Sequence, residues 1–261
     1  MPQCIDQMGR ELLVPVFPKR IISLVPSISD LLCYLGLEQN LIGVTSYCIQ
    51  PESLLKTKSV IGGTKKFDVD AIENLKPDLI IGDKEENYEA GINLLSEKFP
   101  VWMCDFNTLK GSLEMIAMLS DVLGKLKESQ SLIEEIQKGI GKLSKASGES
   151  VAYFIWRKPY MVAASNTYID DVLLTLGFTN AFREDSRYPV VNSEQIASTK
   201  PDIIFLSSEP YPYVEKHIQE LANLCPNAYV ILVDGASFSW SGPRLLHAMD
   251  YFSELVAQVR R

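Results

Sequence analysis

Residues 109–146 read LKGSLEMIAMLSDVLGKLKESQSLIEEIQKGIGKLSKA, and the way this stretch folds decides how the whole chain is built. Leu113, Ile116, Ala117, Ser120 and Leu123 recur at helical steps and form one apolar stripe. The run breaks at Gly124. Beyond it Leu126, Ile133 and Ile140 recur every seven residues, with Ile136 and Leu143 between them. Lys127, Glu128, Glu134, Glu135, Lys138, Lys142 and Lys145 occupy the other face, which is expected to be wet. Glu134 precedes Lys138 by one turn, the better order for pairing. Twenty helical residues reach roughly 30 Å. The stretch is therefore read as a single stiff connector over residues 109–146. It separates an N-terminal α/β lobe, residues 1–108, from a C-terminal α/β lobe, residues 147–261. The competing reading is a crossover helix of one large domain.

Working outward, both flanks follow one plan. Before the connector, strands are expected at Arg20–Val25, Leu41–Val44, Lys76–Ile81 and Val101–Asp105. Helices are expected at Ser29–Leu35, capped by Ser27 or Ser29, at Val69–Leu75 and at Tyr88–Lys98. After it, strands are expected at Ser150–Trp156, Lys200–Phe205 and Tyr229–Asp234. The helices there are Tyr168–Leu176, Ser193–Ser198, Val214–Leu224 and Pro243–Val259. Lys76-Pro77-Asp78-Leu79-Ile80-Ile81 and Lys200-Pro201-Asp202-Ile203-Ile204-Phe205 sit at matching places in the two halves. Matched order around a shared motif points to two related lobes. Strand–helix alternation implies mostly parallel sheets with helices on both faces.

Composition narrows the function. Hydrophobic residues make up 46% and charged residues 22% of the chain, as in a globular protein and unlike a disordered one. The net charge is −8, with no basic patch to meet a phosphate backbone, so nucleic acid is not an expected partner. No stretch approaches the roughly 20 apolar residues of a membrane span. Met1–Arg10 lacks a basic n-region and an apolar core. The expectation is a cytoplasmic protein, or a periplasmic one if a leader has been removed. The five cysteines form no C-x-x-C pair and are read as reduced thiols.

In parallel α/β sheets ligands bind beyond the carboxyl ends of the strands. The loops leaving those ends carry Pro26, Ser27, Tyr47, Lys84 and Glu86 in the first half. In the second they carry Trp156, Arg157, Tyr160, Tyr188, Glu209, Tyr211, Trp240 and Arg244. Trp156, Tyr160, Tyr188, Tyr211 and Trp240 offer flat apolar walls with polar tips. Arg157, Lys84 and Arg244 could meet carboxylates of a ligand. Such loops suit a large, flat, partly apolar solute. Other chemistries fare worse. His217 and His247, the two histidines, both lie in predicted helices, too few ligands for a His-based metal site. Gly62-Gly63 lacks the dinucleotide spacing, and neither a P-loop nor a G-x-S-x-G elbow occurs. Glu85-Glu86 is read as a solvated pair.

The segments RIISLVPSISDLLCYLGL, GVTSY, GGTKKFDVDAIENLKPDLII, NTYIDDVLLTLGFTNAF, DSRYPVVNSEQIASTKPDIIFL and FSWSGPRLL resemble the helical-backbone metal-receptor superfamily. These are the solute-binding proteins of ABC transporters with one rigid connecting helix. The chain looks most like the branch that binds vitamin B12 and iron–siderophores. The resemblance implies two Rossmann-like lobes with a ligand held in a cleft between them. It implies ligand contacts at Pro26, Ser27, Tyr47, Gly63 and Thr64, in the Trp156 loop, beside Tyr188 and at the Trp240 loop. It also implies a permease partner, docked through rim acids such as Glu86 or Glu89 and Glu209 or Glu215. The function it implies is non-catalytic binding of a corrinoid or ferric chelate by a monomer with no intrinsic cofactor. The alternative is a cytoplasmic corrinoid- or cofactor-handling enzyme on the same scaffold.

Overall fold

The computed structural model describes residues 2–260. The chain divides into two compact units. The first holds the residues up to Phe106, Lys110–Glu135 and Ser241–Pro243. The second holds Asn107–Leu109, Ile136–Trp240 and the residues from Arg244 on.

The first unit opens with an antiparallel hairpin, β1 (Gln3–Ile5) and β2 (Glu11–Leu13). Then follow β3 (Ile21–Ser23), α1 (Pro26–Tyr34), β4 (Leu41–Val44), α2 (Leu54–Thr57), β5 (Ser59–Val60), α3 (Val69–Leu75), β6 (Leu79–Asp83), α4 (Glu89–Ser96), β7 (Val101–Cys104), α5 (Leu109–Val122) and α6 (Leu126–Ile140), whose last residues, from Ile136 on, belong to the second unit. The five strands β5-β4-β3-β6-β7 are all parallel. Every residue of β3, β6 and β7 is buried, because helices cover both faces of a doubly wound sheet. The strand order reverses between β3 and β6. That is the switch point at whose carboxyl side such sheets hold ligands.

The hairpin was not foreseen, since its strands are short and mixed in polarity. Its turn covers the outer edge of β7. Asp6, almost fully buried, accepts the Met103 N–H at 3.2 Å and the Arg10 Nε–H at 2.8 Å. Arg10 donates to the Val101 carbonyl at 2.8 Å, and Gln7 accepts the Asp105 N–H at 3.0 Å. Alternate backbone groups of an edge strand are thus satisfied by side chains, which withholds the edge from another chain.

Helix α1 begins at Pro26 with Val25 as an extended cap residue and no side-chain cap. Neither Ser27 nor Ser29 caps it, contrary to the sequence expectation. Pro26 supplies a preset φ and lacks the N–H that would need a cap, and Ser29 Oγ donates to the Val25 carbonyl instead.

The connector is not one rod. It is two helices of 14 and 15 residues, broken where Gly124 takes φ +67°. A side chain is excluded there because an added Cβ would lie 2.4 Å from the Phe17 ring. Helix α6 ends at Ile140 rather than near Ala146. Its buried seam is Ser129, Leu132 and Ile136, while Leu126 stays about half exposed. The seven-residue repeat of Leu126, Ile133 and Ile140 therefore marked the flank of the stripe, not its centre.

The second unit comprises β8 (Ser150–Trp156), β9 (Tyr160–Ala163), α7 (Tyr168–Thr175), β10 (Thr179–Asn180), β11 (Val190–Val191), α8 (Ser193–Thr199), β12 (Ile203–Ser207), α9 (Lys216–Leu224), β13 (Tyr229–Val233), α10 (Gly235–Ser239) and α11 (Arg244–Val259). Strands β10, β8, β12 and β13 run parallel, as β4, β3, β6 and β7 do. Strands β9 and β11 extend the sheet as an antiparallel edge. Mostly parallel sheets thus holds for the first unit in full and for the second apart from this edge. One face packs an aromatic cluster in which Tyr153, Phe178, Phe205, Phe238 and Phe252 meet at ring separations of 5.0–6.4 Å.

The repeated Lys-Pro-Asp has one local meaning in both units. Lys76 and Lys200 each take φ 46° and end α3 and α8 in the left-handed conformation. The proline blocks further helix. Asp78 accepts the N–H groups of Lys19 and Arg20, and Asp202 accepts the N–H and Oγ–H of Ser150. Asp78 ties the start of β6 to the start of β3, and Asp202 ties the start of β12 to the start of β8. The strands themselves begin three residues after the lysines, at Leu79 and Ile203.

Candidate functional site

In the first unit the carboxyl ends of β3, β4, β5 and β6 bring the predicted residues onto one edge. Pro26 and Ser27 open α1, directly after β3. Tyr47 follows β4, is 60% exposed, and lays its ring on Gly63, where an added Cβ would come within 3.1 Å of the ring. Only glycine lets the aromatic ring lie that close to the backbone. Thr64 is buried.

The loop after β6 is organised by two residues absent from the sequence-based set, Asp83 and Asn87. Asn87 is buried. It accepts the Asp83 N–H at 2.8 Å and donates to the carbonyls of Leu24 at 3.2 Å and Thr64 at 3.0 Å. One amide thus ties the exits of β3, β5 and β6 together. Asp83 Oδ1 accepts the N–H groups of Glu85 and Glu86 at 2.8 and 3.1 Å. The signal in the sequence was an Asp followed four positions later by an Asn around a charged tripeptide, a local turn pattern. Lys84 pairs with Asp105 at 2.7 Å.

Burial, aided by the nearby charge of Glu86, pushes the Asp83 carboxyl up to about 7 from 3.8. The folded form therefore holds its proton more tightly than the unfolded chain. Its contribution is intact below about pH 4 and is lost as the pH rises through about 7. Asp83→Asn keeps an acceptor for both N–H groups and removes the charge. It is expected to raise stability at pH 8 on the order of 2 kcal/mol, with the gain vanishing near pH 4. Urea unfolding at several pH values checks this; a gain independent of pH would exclude a titrating Asp83 as its source.

In the second unit Trp156 ends β8 and is 40% exposed. Its ring meets Tyr211 edge-on at 5.8 Å, and Tyr211 meets Tyr213 at 4.8 Å. Tyr213 Oη donates to the Trp156 carbonyl at 2.7 Å, and the Tyr211 N–H donates to the Ile155 carbonyl. The exits of β8 and β12 are joined in this way into one aromatic step. Glu209 accepts from Trp240 Nε1 at 3.0 Å and Ser239 Oγ at 2.8 Å, linking the exit of β12 to α10. Trp240 is only 9% exposed, so it serves as packing beneath the loops more than as an open wall. Phe238 and Ser239, just before Trp240, belong to helix α10.

Tyr160 lies in β9 rather than in a loop, packed on Phe154 at 5.8 Å. Its hydroxyl donates to Glu220, and burial first, then Glu220, pushes its pKa up to about 12. Tyr188 stands beside β11, with the Arg187 guanidinium 5.8 Å over its ring.

The three cations expected to meet a ligand are each engaged within their own unit. Arg157 forms a bidentate pair with Glu220, Nη2 to Oε2 at 2.7 Å, which holds the Glu220 carboxyl below its usual range. Arg244 pairs with Asp234 at 3.0 Å, and Lys84 with Asp105 as above. Glu220 sits on the polar side of α9, 63 residues from Arg157, a partnership no local pattern reveals. Of the two histidines, His247 is exposed and His217 is buried among the tyrosines. Among the described residues no group of three or more His, Cys, Asp or Glu could hold a metal ion, and no helix is long and apolar enough to cross a membrane.

This architecture is shared by known proteins. The chain is 24% identical over 96% of its length to an ABC transporter substrate-binding lipoprotein of Bacillus subtilis, of which it covers 84%. It is 26% identical to the vitamin B12-binding protein of Pectobacterium carotovorum, over 88% of this chain and 86% of that one. The crystal structure of the periplasmic vitamin B12 binding protein BtuF of Vibrio cholerae superposes with a TM-score of 0.81 at 22% identity, covering 95% of this chain and all of that one. These relatives are named for binding, and none of them supports the enzyme reading. The profile of the periplasmic binding protein family matches residues 21–222. With both α/β units and their loop-bearing edges accounted for, the chain belongs to the periplasmic binding protein family.

Proposed function

We propose that the protein binds a metal-chelate solute, a corrinoid or a ferric chelate, for an ABC permease, and does so outside the cytoplasmic membrane. The observation that carries this reading is the aromatic step of Trp156, Tyr211 and Tyr213 at the carboxyl ends of β8 and β12, with Trp156 exposed. Flat rings with polar tips suit a broad planar chelate. Tyr47 over Gly63 gives the first unit a similar surface. Because Lys84, Arg157 and Arg244 already face carboxylates, a ligand edged with amides or hydroxyls fits better than a polycarboxylate. Relatives named periplasmic or lipoprotein support the compartment.

Cobinamide, cobalamin, haemin and a ferric siderophore are the probes. Binding of one should raise the melting temperature, since a ligand that binds only the native state stabilises it. Trp156→Ala should weaken that binding about tenfold, roughly 1.4 kcal/mol. Tyr229→Ala, an exposed aromatic at the amino end of β13, should leave it unchanged. No stabilisation by any of the four at high micromolar concentration would reject the ligand class.

A further inference from the structure

We propose that His217 is a positioning residue for ligand binding: its neutral imidazole sets the tilt of the Tyr211–Trp156 step, and its protonation releases the step. The inference rests on the reading of that step as the ligand surface.

His217 is 3% exposed and lies in the first turn of α9. Its Nδ1 accepts the Val214 N–H at 3.0 Å, which leaves Nδ1 without a proton. The neutral ring must then carry its proton on Nε2. That atom lies 3.4 Å from Tyr211 Oη, so it donates to the hydroxyl. The ring also wedges between Tyr211 at 5.6 Å and Tyr213 at 5.4 Å. Those two tyrosines reach Trp156 by the ring contact and by the hydrogen bond to its carbonyl. One imidazole therefore braces both supports of the exposed indole.

A second proton would have to enter at Nδ1, against the Val214 N–H. Donor would face donor, and the turn from Tyr213 into α9 would have to open. The groups around the ring oppose that proton on balance. Burial acts first, then the charges of Arg157 from the end of β8 and Lys216 on α9, against Glu220 on α9. Tyr211 and Tyr213 face the ring from the loop, and burial holds the Tyr213 hydroxyl above the usual tyrosine range. Protonation thus belongs below the usual histidine range.

The test uses the full chain with cobinamide, cobalamin and haemin as probes, at pH 7.5 and along a descending pH series over which the chain stays folded. Wild-type affinity for the probe that binds should fall about tenfold on acidification, together with a shift in tryptophan fluorescence that Trp156→Phe abolishes. His217→Asn keeps an acceptor near Nδ1 for Val214 and cannot reach Tyr211. It should fold, bind about tenfold more weakly at pH 7.5, and lose the pH dependence of both affinity and fluorescence. His217→Gln places its amide near Nε2 and should restore part of the affinity without the titration. If Trp156→Ala and Tyr211→Ala leave affinity intact, the ligand surface itself has been misread. If they weaken binding but His217→Asn keeps wild-type affinity, or keeps the acid-induced loss, His217 has no positioning role and this inference is overturned.

Discussion

Asp6→Ala is expected to destabilise the first unit by about 3 kcal/mol, the cost of breaking a buried ion pair from one side. The carboxylate is almost fully buried and accepts hydrogen bonds from the backbone N–H groups of Met8, Arg10 and Met103 as well as from the Arg10 side chain. Its removal leaves the Met103 N–H without an acceptor. It also frees Arg10, whose Nη2 holds the Val101 carbonyl. At the usual scaling for a chain of this size the melting temperature should drop by roughly 6–12 °C. Because these groups cover the edge of β7, the variant should also self-associate at high concentration, as exposed strand edges do. Asp6→Asn keeps one acceptor and should fall between the two. Urea unfolding and light scattering read both effects. A loss below about 1 kcal/mol with no association would mean that the hairpin merely rests on the edge and does not protect it.

Asn87→Ala is expected to cost about 3 kcal/mol, since three buried backbone partners lose their hydrogen bonds at once. Its second effect should appear in binding. The exits of β3, β5 and β6 carry Pro26, Thr64 and Lys84, and the amide is what joins them. Chelate affinity should fall along with stability, although Asn87 itself is buried. Asn87→Asp separates donor from acceptor roles. A carboxylate would turn an acceptor oxygen toward the carbonyls of Leu24 and Thr64, so this variant should be at least as unstable as the alanine at neutral pH. If it proves more stable than the alanine, the donor role assigned here is wrong.

Much of the architecture is legible in the sequence. Strands buried on both faces read as unbroken apolar runs, as Leu79–Ile81 and Ile203–Phe205 do, and helices of seven residues or more announce themselves by period. The two Lys-Pro-Asp motifs located equivalent joints because helix stop, proline and strand-start aspartate are all local chemistry. Short or edge elements were illegible for the converse reason. Gln3–Ile5, Tyr160–Ala163 and Val190–Val191 take their conformation from pairing partners, and two to four residues hold too little pattern to declare it. The single connector was misjudged at one residue. Gly124 was seen as a break, and its φ of +67°, with the ring of Phe17 from more than a hundred residues earlier packed against it, splits the run into two helices.

The candidate site divides along the same line. Which loops leave the carboxyl ends of the strands follows from where the strands lie along the chain, and that follows from apolar runs and proline. The sequence alone therefore determined the α/β units, the family, and that Trp156, Tyr211 and Tyr47 would sit at the carboxyl ends of their strands. What each charged group does was decided by tertiary structure. Arg157 meets Glu220, Arg244 meets Asp234 and Lys84 meets Asp105, so cations that looked free for a ligand are neutralised at home. The physical reason is reach. Backbone conformation is set by neighbours a few residues away, whereas a hydrogen bond or an ion pair between side chains depends on which distant residues the fold delivers within about 3 Å.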